Sequence, residues 1–490
     1  MTIRGDSAKP VSRTPTPFWV GLFLIGLLAV ACRIIGALNG LWLDEILAVN
    51  LAGQVGSPLD VFTQLHSEIN HHLYTLYLAW IGHGSNFFVM RLPSLVAGVG
   101  SLIFAGLIAR RQSRPACFFA LLLFGFSYVL VLFSGEARGY ALAVFFALAC
   151  FWLLERFFLS NRLPTALLFS FCAALGILSQ MVFLCFFFAA LLWSLVRWLH
   201  SRSGTRRGVV DLLCCYTLPC ALLVLLYFVD LRKLVNLGGT PSSSLFLSLS
   251  TSLVWTFGFP PVPFLPWLVA LSVVGFLGVA CFWFWRKKSD LWVFFPGVIL
   301  LFPVLLVLAR GSMVIYARYF IVGNAFLLLL VSYGLGALYQ RNFRGKVLSV
   351  LLILVFLLAN GWQISKLFRF GRGQYREALR FMSQHATTHP FTVGSDHDFR
   401  NFTILQFYVP STLSATQQLL YFPTGKRPPL GPEWVIRHKE SFDAPIPPEA
   451  ELADSDNNRY ELVAVFPSAP LSGLHWFIYH NKSVPLAPAP

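Results

Sequence analysis

Residues 17–50 read PFWVGLFLIGLLAVACRIIGALNGLWLDEILAVN, a long apolar run followed by a pair of acids. The apolar part, 17–36, carries one charged residue, Arg33, and as a helix it is long enough to cross the hydrocarbon core of a bilayer. Asp44 and Glu45 follow in an apolar context. Because a carboxylate near the hydrocarbon boundary costs up to about 3 kcal/mol, it tends to be paired or functional. The stretch predicts a transmembrane helix that ends beside an acidic site. Acids that merely end a helix are the alternative.

Apolar runs of this length recur up to residue 365. Of the 490 residues, 57% are hydrophobic and 12% are charged, about half the charged share of an average soluble protein. Such a composition excludes a water-soluble fold of this size. We therefore predict a polytopic α-helical membrane protein with about eleven transmembrane helices. Their predicted positions are 17–36, 91–109, 116–134, 140–158, 164–180, 182–199, 211–229, 264–285, 291–309, 319–340 and 347–365.

Basic residues are distributed unevenly between the predicted loops. With a cytoplasmic N-terminus, the cytoplasmic loops hold 18 of the 27 Lys and Arg that precede residue 370, as the positive-inside rule requires. Topology thus explains the net charge of +16 better than nucleic-acid binding does. An odd number of spans then places everything after about residue 366 outside. The predicted location is a bacterial inner membrane, with the first span a retained anchor rather than a cleaved signal peptide.

The composition changes at about residue 370, where polar stretches and prolines become frequent. We predict a membrane core over 1–369 and a small α/β domain outside the cytoplasm over 370–490. Residues 374–387 and 399–408 are helix candidates. The segments FTVGSD, QQLLYF, EWVIRH, YELVAVF and HWFIYH are strand candidates. The nine cysteines lie in or beside apolar spans, so we predict unpaired hydrophobic side chains rather than disulfides.

A second acidic loop lies at the outer end of the third predicted span. The sequence SGEARGYAL places Glu136 and Arg138 in one short turn between two apolar helices. One interpretation is a structural ion pair. The other is a second acid that faces the same cavity as Asp44, with Arg138 holding an anionic group.

The loop after the first span also contains histidines. The sequence HSEINHHLYTLYLAW, residues 66–80, continues into an amphipathic stretch that is too short to span and would lie along the membrane surface. Its polar residues are His66, Glu68, Asn70, His71 and His72. Imidazole and carboxylate groups are good ligands for divalent metals, so this is either a metal site or a solvated interfacial cluster.

A late external loop contains arginines where the positive-inside rule disfavours them. It lies between the ninth and tenth predicted spans and ends in YARYF, with Arg318 and Tyr319 following Arg310. Arginine can bind phosphate through two parallel hydrogen bonds, which favours an anionic ligand at this loop. Contact with lipid headgroups is the alternative.

These segments, in this order, resemble the GT-C superfamily of membrane glycosyltransferases. The resemblance is to the bacterial branch related to protein O-mannosyltransferases and to the aminoarabinose transferase that modifies lipid A. The motifs cover nearly the whole chain: LWLDE after an arginine-ended span, NHHLYTLYLAW, FFVMRLPSLVAG, SGEARGYAL and YARYF. His71 and His72 stand where relatives often carry two prolines, and Gln180 stands where some carry lysine.

The resemblance implies a glycosyltransferase that moves a sugar from a polyprenyl phosphate donor to an acceptor hydroxyl at the external face, usually with inversion. The acceptor would be a lipid, a glycan or a protein. Asp44 matches the family's candidate general base, with Glu45 beside it, and Glu136 matches the second acid. The candidates for binding the donor phosphate are Arg138, Arg318, Tyr319 and Arg91. The candidates for a metal or for the acceptor are Glu68, His71 and His72, and a divalent ion is the one cofactor considered.

Three other functions are compatible with the same features. A lipid-linked sugar transporter or flippase would place polar residues near the bilayer midplane, whereas here they lie at the mouths of external loops. A glycan ligase acting on a polyprenyl diphosphate would use similar arginines. A structural subunit of an envelope-assembly complex would tolerate the loss of Asp44. Membrane lipids surround the spans in every case, and no nucleic-acid partner is predicted.

Overall fold

The computed structural model describes residues 16–200, 205–234, 244–310, 315–440 and 449–486. Helices and strands are labelled in chain order. The helices are α1 (Thr16–Gly36), α2 (Leu43–Ala52), α3 (Asp60–Thr63), α4 (His72–Ile81), α5 (Phe87–Arg110), α6 (Arg114–Phe126), α7 (Tyr128–Ser134), α8 (Tyr140–Ser160), α9 (Leu163–Ser179), α10 (Leu184–His200), α11 (Thr205–Val229), α12 (Leu245–Thr256), α13 (Leu265–Arg286), α14 (Leu291–Pro296), α15 (Phe302–Arg310), α16 (Ile321–Arg341), α17 (Phe343–Phe370), α18 (Tyr375–His385) and α19 (Asp398–Thr412). The strands are β1 (Phe391–Ser395), β2 (Leu419–Tyr421), β3 (Trp434–Glu440), β4 (Glu451–Ala453), β5 (Arg459–Phe466) and β6 (Leu474–Asn481).

The prediction of a polytopic helical membrane protein is confirmed. Within the described ranges, nine helical stretches are long and apolar enough to cross a membrane, and α6 with α7 makes a tenth that bends by 59°. A further predicted span, α9, is shorter, with 17 residues. Including α9, helices occupy all the predicted positions. The sequence did not predict α12, because its 12 residues intersperse serines with apolar side chains and cannot span a bilayer. All nine cysteines are unpaired.

Side chains from two other helices hold the bend between α6 and α7. The guanidinium of Arg33, in α1, donates to the backbone oxygens of Phe124 and Gly125 at 2.8 and 3.0 Å. The amide oxygen of Asn360, in α17, accepts from the backbone N–H of Tyr128 at 2.7 Å. A broken helix inside a bilayer must satisfy its free backbone groups within the protein, because lipid offers no hydrogen bonds. The buried Arg33 therefore caps the end of α6.

Contacts place the loops on two ends of the helix bundle. The end that carries the C-terminal sheet, called the domain face below, also carries the loops containing Asp44, Glu136 and Arg318. The opposite end carries the ion pairs Arg111–Glu155 at 2.8 Å and Arg197–Asp290 at 3.5 Å. The sequence predicted these four residues to be cytoplasmic and the loops of the domain face to be external.

The C-terminal region forms one mixed sheet with the strand order β2-β1-β3-β6-β5-β4. Strands β2, β1 and β3 are parallel to one another, whereas β3, β6, β5 and β4 pair in antiparallel fashion. Each of the five predicted strand segments contains a strand, both predicted helices are present as α18 and α19, and β4 was missed. The end of the tail PLAPAP lies outside the described residues.

The sheet domain is hydrogen-bonded to the membrane helices. The hydroxyl of Tyr408, in α19, donates to the backbone oxygen of Leu41 at 2.6 Å. The guanidinium of Arg372, just after α17, donates to the backbone oxygens of Leu132 and Gly135 at 2.6 and 3.0 Å. Helix α19 packs along α2. These contacts bring the domain directly over the loop that contains the two acids.

Candidate active site

The two acids of the LWLDE segment lie in the first turn of α2. Backbone N–H groups at the start of a helix are unpaired within it, so acids are stabilised in this turn. Although Asp44 and Glu45 are adjacent, successive side chains leave a helix about 100° apart. The two carboxylates therefore enter different environments.

Asp44 joins two arginines that are distant in sequence. Its Oδ2 atom lies 2.7 Å from Nη1 of Arg138 and 2.8 Å from Nη1 of Arg318. Its side chain is 17% exposed, so it lines a space that a ligand can reach. Burial raises the pKa of the Asp44 carboxyl, but the charges of Arg318 and then Arg138 outweigh burial and hold that pKa below its usual value. Asp44 is therefore ionised and paired.

Glu45 and Arg91 form a closed pair beside this site. Both side chains are 0% exposed, and Nε and Nη2 of Arg91 donate to the two oxygens of Glu45 at 2.8 and 2.6 Å. The remaining bonds of Arg91 go to the backbone oxygens of Ala37, Asn39 and Gly40. All five N–H donors of a guanidinium are then used. The structure thus leaves Arg91 no donor for a phosphate and gives Glu45 no exposed oxygen.

Glu136 lies in the loop between α7 and α8, two residues before Arg138. Its Oε1 accepts from the indole N–H of Trp42 at 2.9 Å, and its Oε2 is buried with no hydrogen-bond partner among the described residues. Burial raises the pKa of the Glu136 carboxyl above its ordinary value, despite the positive charges of Arg372 and Arg138. A buried carboxyl with one unused oxygen is suited to accept or donate one further hydrogen bond to a ligand.

Arg138 and Arg318 also keep unused hydrogen-bonding capacity. In each, the Nε atom is buried and has no hydrogen-bond partner in the described part of the chain. Arg318 lies over the ring of Tyr316, 4.2 Å from its centroid, and Arg138 lies over that of Tyr140 at 5.2 Å. Tyr319 packs edge-on against Tyr316. The arrangement is two fixed guanidinium groups with aromatic supports, both turned toward one carboxylate.

The histidines of the first loop are bonded to other groups of the protein. Nδ1 of His71 accepts from the backbone N–H of Gly139 at 2.8 Å, and its Nε2 lies 3.3 Å from Nε2 of Gln180. Burial and then the charge of Arg138 hold the pKa of His71 well below its usual value, so this ring is neutral. Among the described residues, no group of three or more His, Cys, Asp or Glu is placed to hold a metal ion.

His66 and His72 share a partner that the sequence did not single out. Their Nδ1 and Nε2 atoms each lie 2.7 Å from one oxygen of Asp230, at the end of α11. This carboxylate ties the loop that precedes α4 to the end of α11. Glu68 lies in the same loop, between His66 and His72. The sequence signal for Asp230 is an acid at the end of an apolar span.

Comparison with known proteins bears on the fold. Residues 71–230 match the family model described as dolichyl-phosphate-mannose-protein mannosyltransferase. The crystal structure of ArnT from Cupriavidus metallidurans in the apo state matches with a TM-score of 0.50 and 11% identity, over 95% of this chain and 98% of that one. The chain has the fold of a GT-C membrane glycosyltransferase. The predicted resemblance is thereby confirmed.

A second solved structure is also similar to the chain. It is the archaeal oligosaccharyltransferase AglB from Archaeoglobus fulgidus, in complex with an inhibitory peptide and a dolichol-phosphate. It matches with a TM-score of 0.48 and 9% identity, over 86% of this chain and 69% of that chain. No curated protein matches the chain.

The unpredicted helix α12 positions the YARYF segment. The hydroxyl of Ser252 donates to the backbone oxygen of Ala317 at 2.8 Å, and the amide of Asn324 donates to Ser252 Oγ at 2.7 Å. One helical turn earlier, Ser248 donates to the backbone oxygen of Ile315 at 3.0 Å. The serines at i and i+4 share one helix face, which is the sequence signal for this contact. Residues 311–314 and the side chain of Arg310 lie outside the described residues.

Proposed function

We propose that this protein transfers a sugar from a polyprenyl-phosphate-linked donor to an acceptor hydroxyl at the domain face, with Asp44 as general base. The observation that carries this proposal is the contact of one partly exposed carboxylate with both Arg138 and Arg318. A reaction between a lipid phosphate ester and a hydroxyl needs cations for the phosphate and a base for the proton. The site holds both within hydrogen-bonding distance of each other.

The order of events follows from the charges. When the donor enters, its phosphate competes with Asp44 for the two guanidinium groups. The nearby cations lower the pKa of Asp44 and so weaken it as a base. When the phosphate shares these cations, the pKa of Asp44 rises. Donor binding therefore activates the base. In the absence of donor, the same contacts hold Arg138 and Arg318 in place.

The chemical step is a direct displacement. The acceptor oxygen attacks the anomeric carbon, the bond from that carbon to the phosphate oxygen breaks, and the acceptor proton passes to Asp44. The polyprenyl phosphate leaves as an anion, whose charge Arg138 and Arg318 stabilise. A single displacement inverts the anomeric centre. Glu136, with its unused oxygen, would orient the acceptor or donor sugar, and Glu45 would hold the site together through Arg91.

The experiment compares lipid-linked glycans by mass spectrometry in cells that lack the protein or carry it as native, Asp44→Asn or Asp290→Asn. Asp290 is the matched control, because it pairs with an arginine at the opposite end of the bundle. We expect the deletion and Asp44→Asn, at equal protein level, to accumulate a polyprenyl phosphate sugar and lose one envelope glycan modification. Asp290→Asn should match the native protein. A normal profile in Asp44→Asn would refute the catalytic role and favour a transporter or a structural subunit.

A further inference from the structure

The parallel half of the C-terminal sheet has a crevice at its carboxyl edge. From β1 the chain passes through α19 to β2 on one side, and then crosses to β3 on the other side of β1. Because the two connections leave to opposite sides of β1, neither covers the space between them. Ligands of open α/β sheets bind in this uncovered space. Five polar residues meet at this point, called the crevice cluster below. They are Asp396, Arg400, Asn401, His438 and Glu440.

The crevice cluster is hydrogen-bonded in a defined order. Nδ1 of His438 lies 2.8 Å from Oδ1 of Asp396, and the backbone N–H of His438 donates to Oδ2 at 3.0 Å. Nη1 of Arg400 lies 3.2 Å from Nε2 of His438 and 2.5 Å from Oε1 of Glu440. The carboxylate therefore holds the Nδ1 proton of the ring, while Nε2 points its lone pair toward Arg400.

The cluster has room for a further partner. Asn401 is fully buried, and although its Nδ2 donates to Asp396 at 3.0 Å, its Oδ1 has no hydrogen-bond partner among the described residues. The other four side chains are between 10% and 29% exposed. A buried amide with an unused acceptor, next to charged groups that solvent can reach, is suited to hydrogen-bond a polar ligand.

The crevice cluster faces the site around Asp44. Arg400 lies in the first turn of α19, two turns before Tyr408, whose hydroxyl donates to the backbone oxygen of Leu41, just before α2. Arg400 is the third guanidinium, after Arg318 and Arg138, whose charge lowers the pKa of Asp44. Glu440 is one of the acids that, together with burial, raise the pKa of Tyr316, the ring that supports Arg318. The soluble domain thus adds charged groups to the membrane site.

We propose that the crevice cluster is the acceptor subsite and that it binds a neutral, hydroxyl-rich sugar whose neighbouring hydroxyl is presented to Asp44. The proposal rests on the proposed function. The cluster holds two carboxylates and one guanidinium, and this excess of acids disfavours a phosphate or an acidic peptide. Neighbouring sugar hydroxyls can donate to Asp396 and Glu440 and accept from Arg400, using both roles of each hydroxyl. A single serine or threonine hydroxyl could not use this many partners.

The test uses full-length protein in detergent with a polyprenyl phosphate sugar as donor. The acceptor probes are a neutral oligosaccharide and a serine-containing peptide. Glu440→Gln removes one proposed partner of the sugar, and His438→Gln removes the ring that orders Asp396 and Arg400. Their matched controls are His389→Gln, an exposed histidine just before β1 at the opposite edge of the sheet, and Glu451→Gln, on the far strand β4. Donor and acceptor KM, kcat and the melting temperature are measured for each.

We expect His438→Gln and Glu440→Gln to raise the KM of the oligosaccharide about ten-fold, as for one lost hydrogen bond to a charged group, while donor KM stays within about two-fold. The controls should match the native protein. If His438→Gln lowers the melting temperature, Arg400→Lys gives the same comparison, because it keeps the charge and removes the planar fork.

Two results would overturn the proposal. An unchanged oligosaccharide KM in folded variants would make the cluster a structural network. If the peptide is the better acceptor and its KM changes in the variants, the subsite binds a protein acceptor instead. Failure of the proposed function is distinguishable from both, because the native protein would then turn over no donor with either acceptor.

Discussion

Oδ2 of Asp44 lies 2.8 Å from Nη1 of Arg318, although one residue follows the first membrane span and the other opens a late one. The ion pair joins the loop after the first span to the segment that opens the late one. It also means that the expected base and the expected phosphate ligand bind each other until a donor separates them. The pH dependence of the reaction should therefore show that the donor phosphate replaces Asp44 at the arginines.

We expect the acid limb of kcat to lie at higher pH than the acid limb of kcat/KM for the donor. In the free protein the arginines hold the pKa of Asp44 below its usual value of about 3.9, so it stays ionised at any pH above this. In the donor complex the phosphate shares those cations, and the pKa of Asp44 rises. The measurement is both parameters between about pH 4.5 and pH 8.

The lowered pKa of Asp44 also predicts how the stability of the protein depends on pH. When folding lowers the pKa of an acid, the ionised acid stabilises the folded protein. This stabilisation is complete above the pKa of the acid in the unfolded chain, and it is lost as the pH falls through the lower pKa in the folded protein. For Asp44 this window lies below about pH 4. The melting temperatures of native protein and Asp44→Asn should therefore differ by a constant amount between about pH 5 and 8. A difference that changes steeply near pH 6 would contradict the assignment.

Replacement of Arg318 with alanine should weaken donor binding far more than folding. Charge-assisted hydrogen bonds contribute about 1.5–3 kcal/mol, so donor KM should rise about 10- to 100-fold. Arg318→Lys should recover part of this, because it restores the charge without the fork. The matched control is Arg232→Ala, an exposed arginine on the same face. Unchanged donor KM in folded Arg318→Ala would remove Arg318 from the phosphate site.

Much of the membrane architecture could be predicted because each span is encoded locally. Apolar length alone located the helices, and charged residues at the membrane boundary singled out Asp44, Arg138 and Arg318. Which charged side chains pair with one another could not be predicted in the same way. Nothing local distinguishes Asp44 from Glu45, yet their directions on α2 give one a partly exposed site and the other a closed pair with Arg91.

The features that sequence reasoning missed depend on long-range topology. Helix α12 is too short and too serine-rich for a span, so its contact with YARYF appears only in three dimensions. The crevice cluster likewise requires the order of three strands and the docking of α19 on α2. Arg400 and His438 are separated in sequence and look like ordinary surface residues there.

Replacement of Ser252 with alanine tests whether α12 positions Arg318. The change removes the hydroxyl that binds the backbone oxygen of Ala317 and leaves the amide of Asn324 without its acceptor. We expect donor KM to rise about three- to ten-fold, as for a loss of about 1 kcal/mol. The control is Ser272→Ala, whose hydroxyl bonds only within its own helix. Equal KM values for the two variants would leave α12 without a role in donor binding.

Replacement of Glu45 with glutamine should act on stability. It leaves Arg91 as a buried cation without its carboxylate, a change that typically costs about 3–5 kcal/mol. We expect a large drop in melting temperature, with kcat per folded molecule preserved. The part-exposed pair Arg111–Glu155 supplies the control, because Glu155→Gln should cost at most about 1 kcal/mol. A stable Glu45→Gln protein that has lost its kcat would instead make Glu45 catalytic.

Replacement of Arg33 with leucine should destabilise the bent span without changing the chemistry at the domain face. Arg33 donates to the backbone oxygens of Ala29, Phe124 and Gly125, and leucine would leave the end of α6 unsatisfied in an apolar surrounding. Each orphaned group costs about 1–3 kcal/mol, so we expect a lower melting temperature and a smaller folded fraction after extraction. Donor KM of the folded fraction should match the native value, because the contacts of Arg318 and Arg138 are intact. The control is Arg110→Leu, at the other end of the bundle, whose guanidinium lies over Trp19. If Arg33→Leu changes donor KM at native stability, Arg33 acts on the site rather than on the bend.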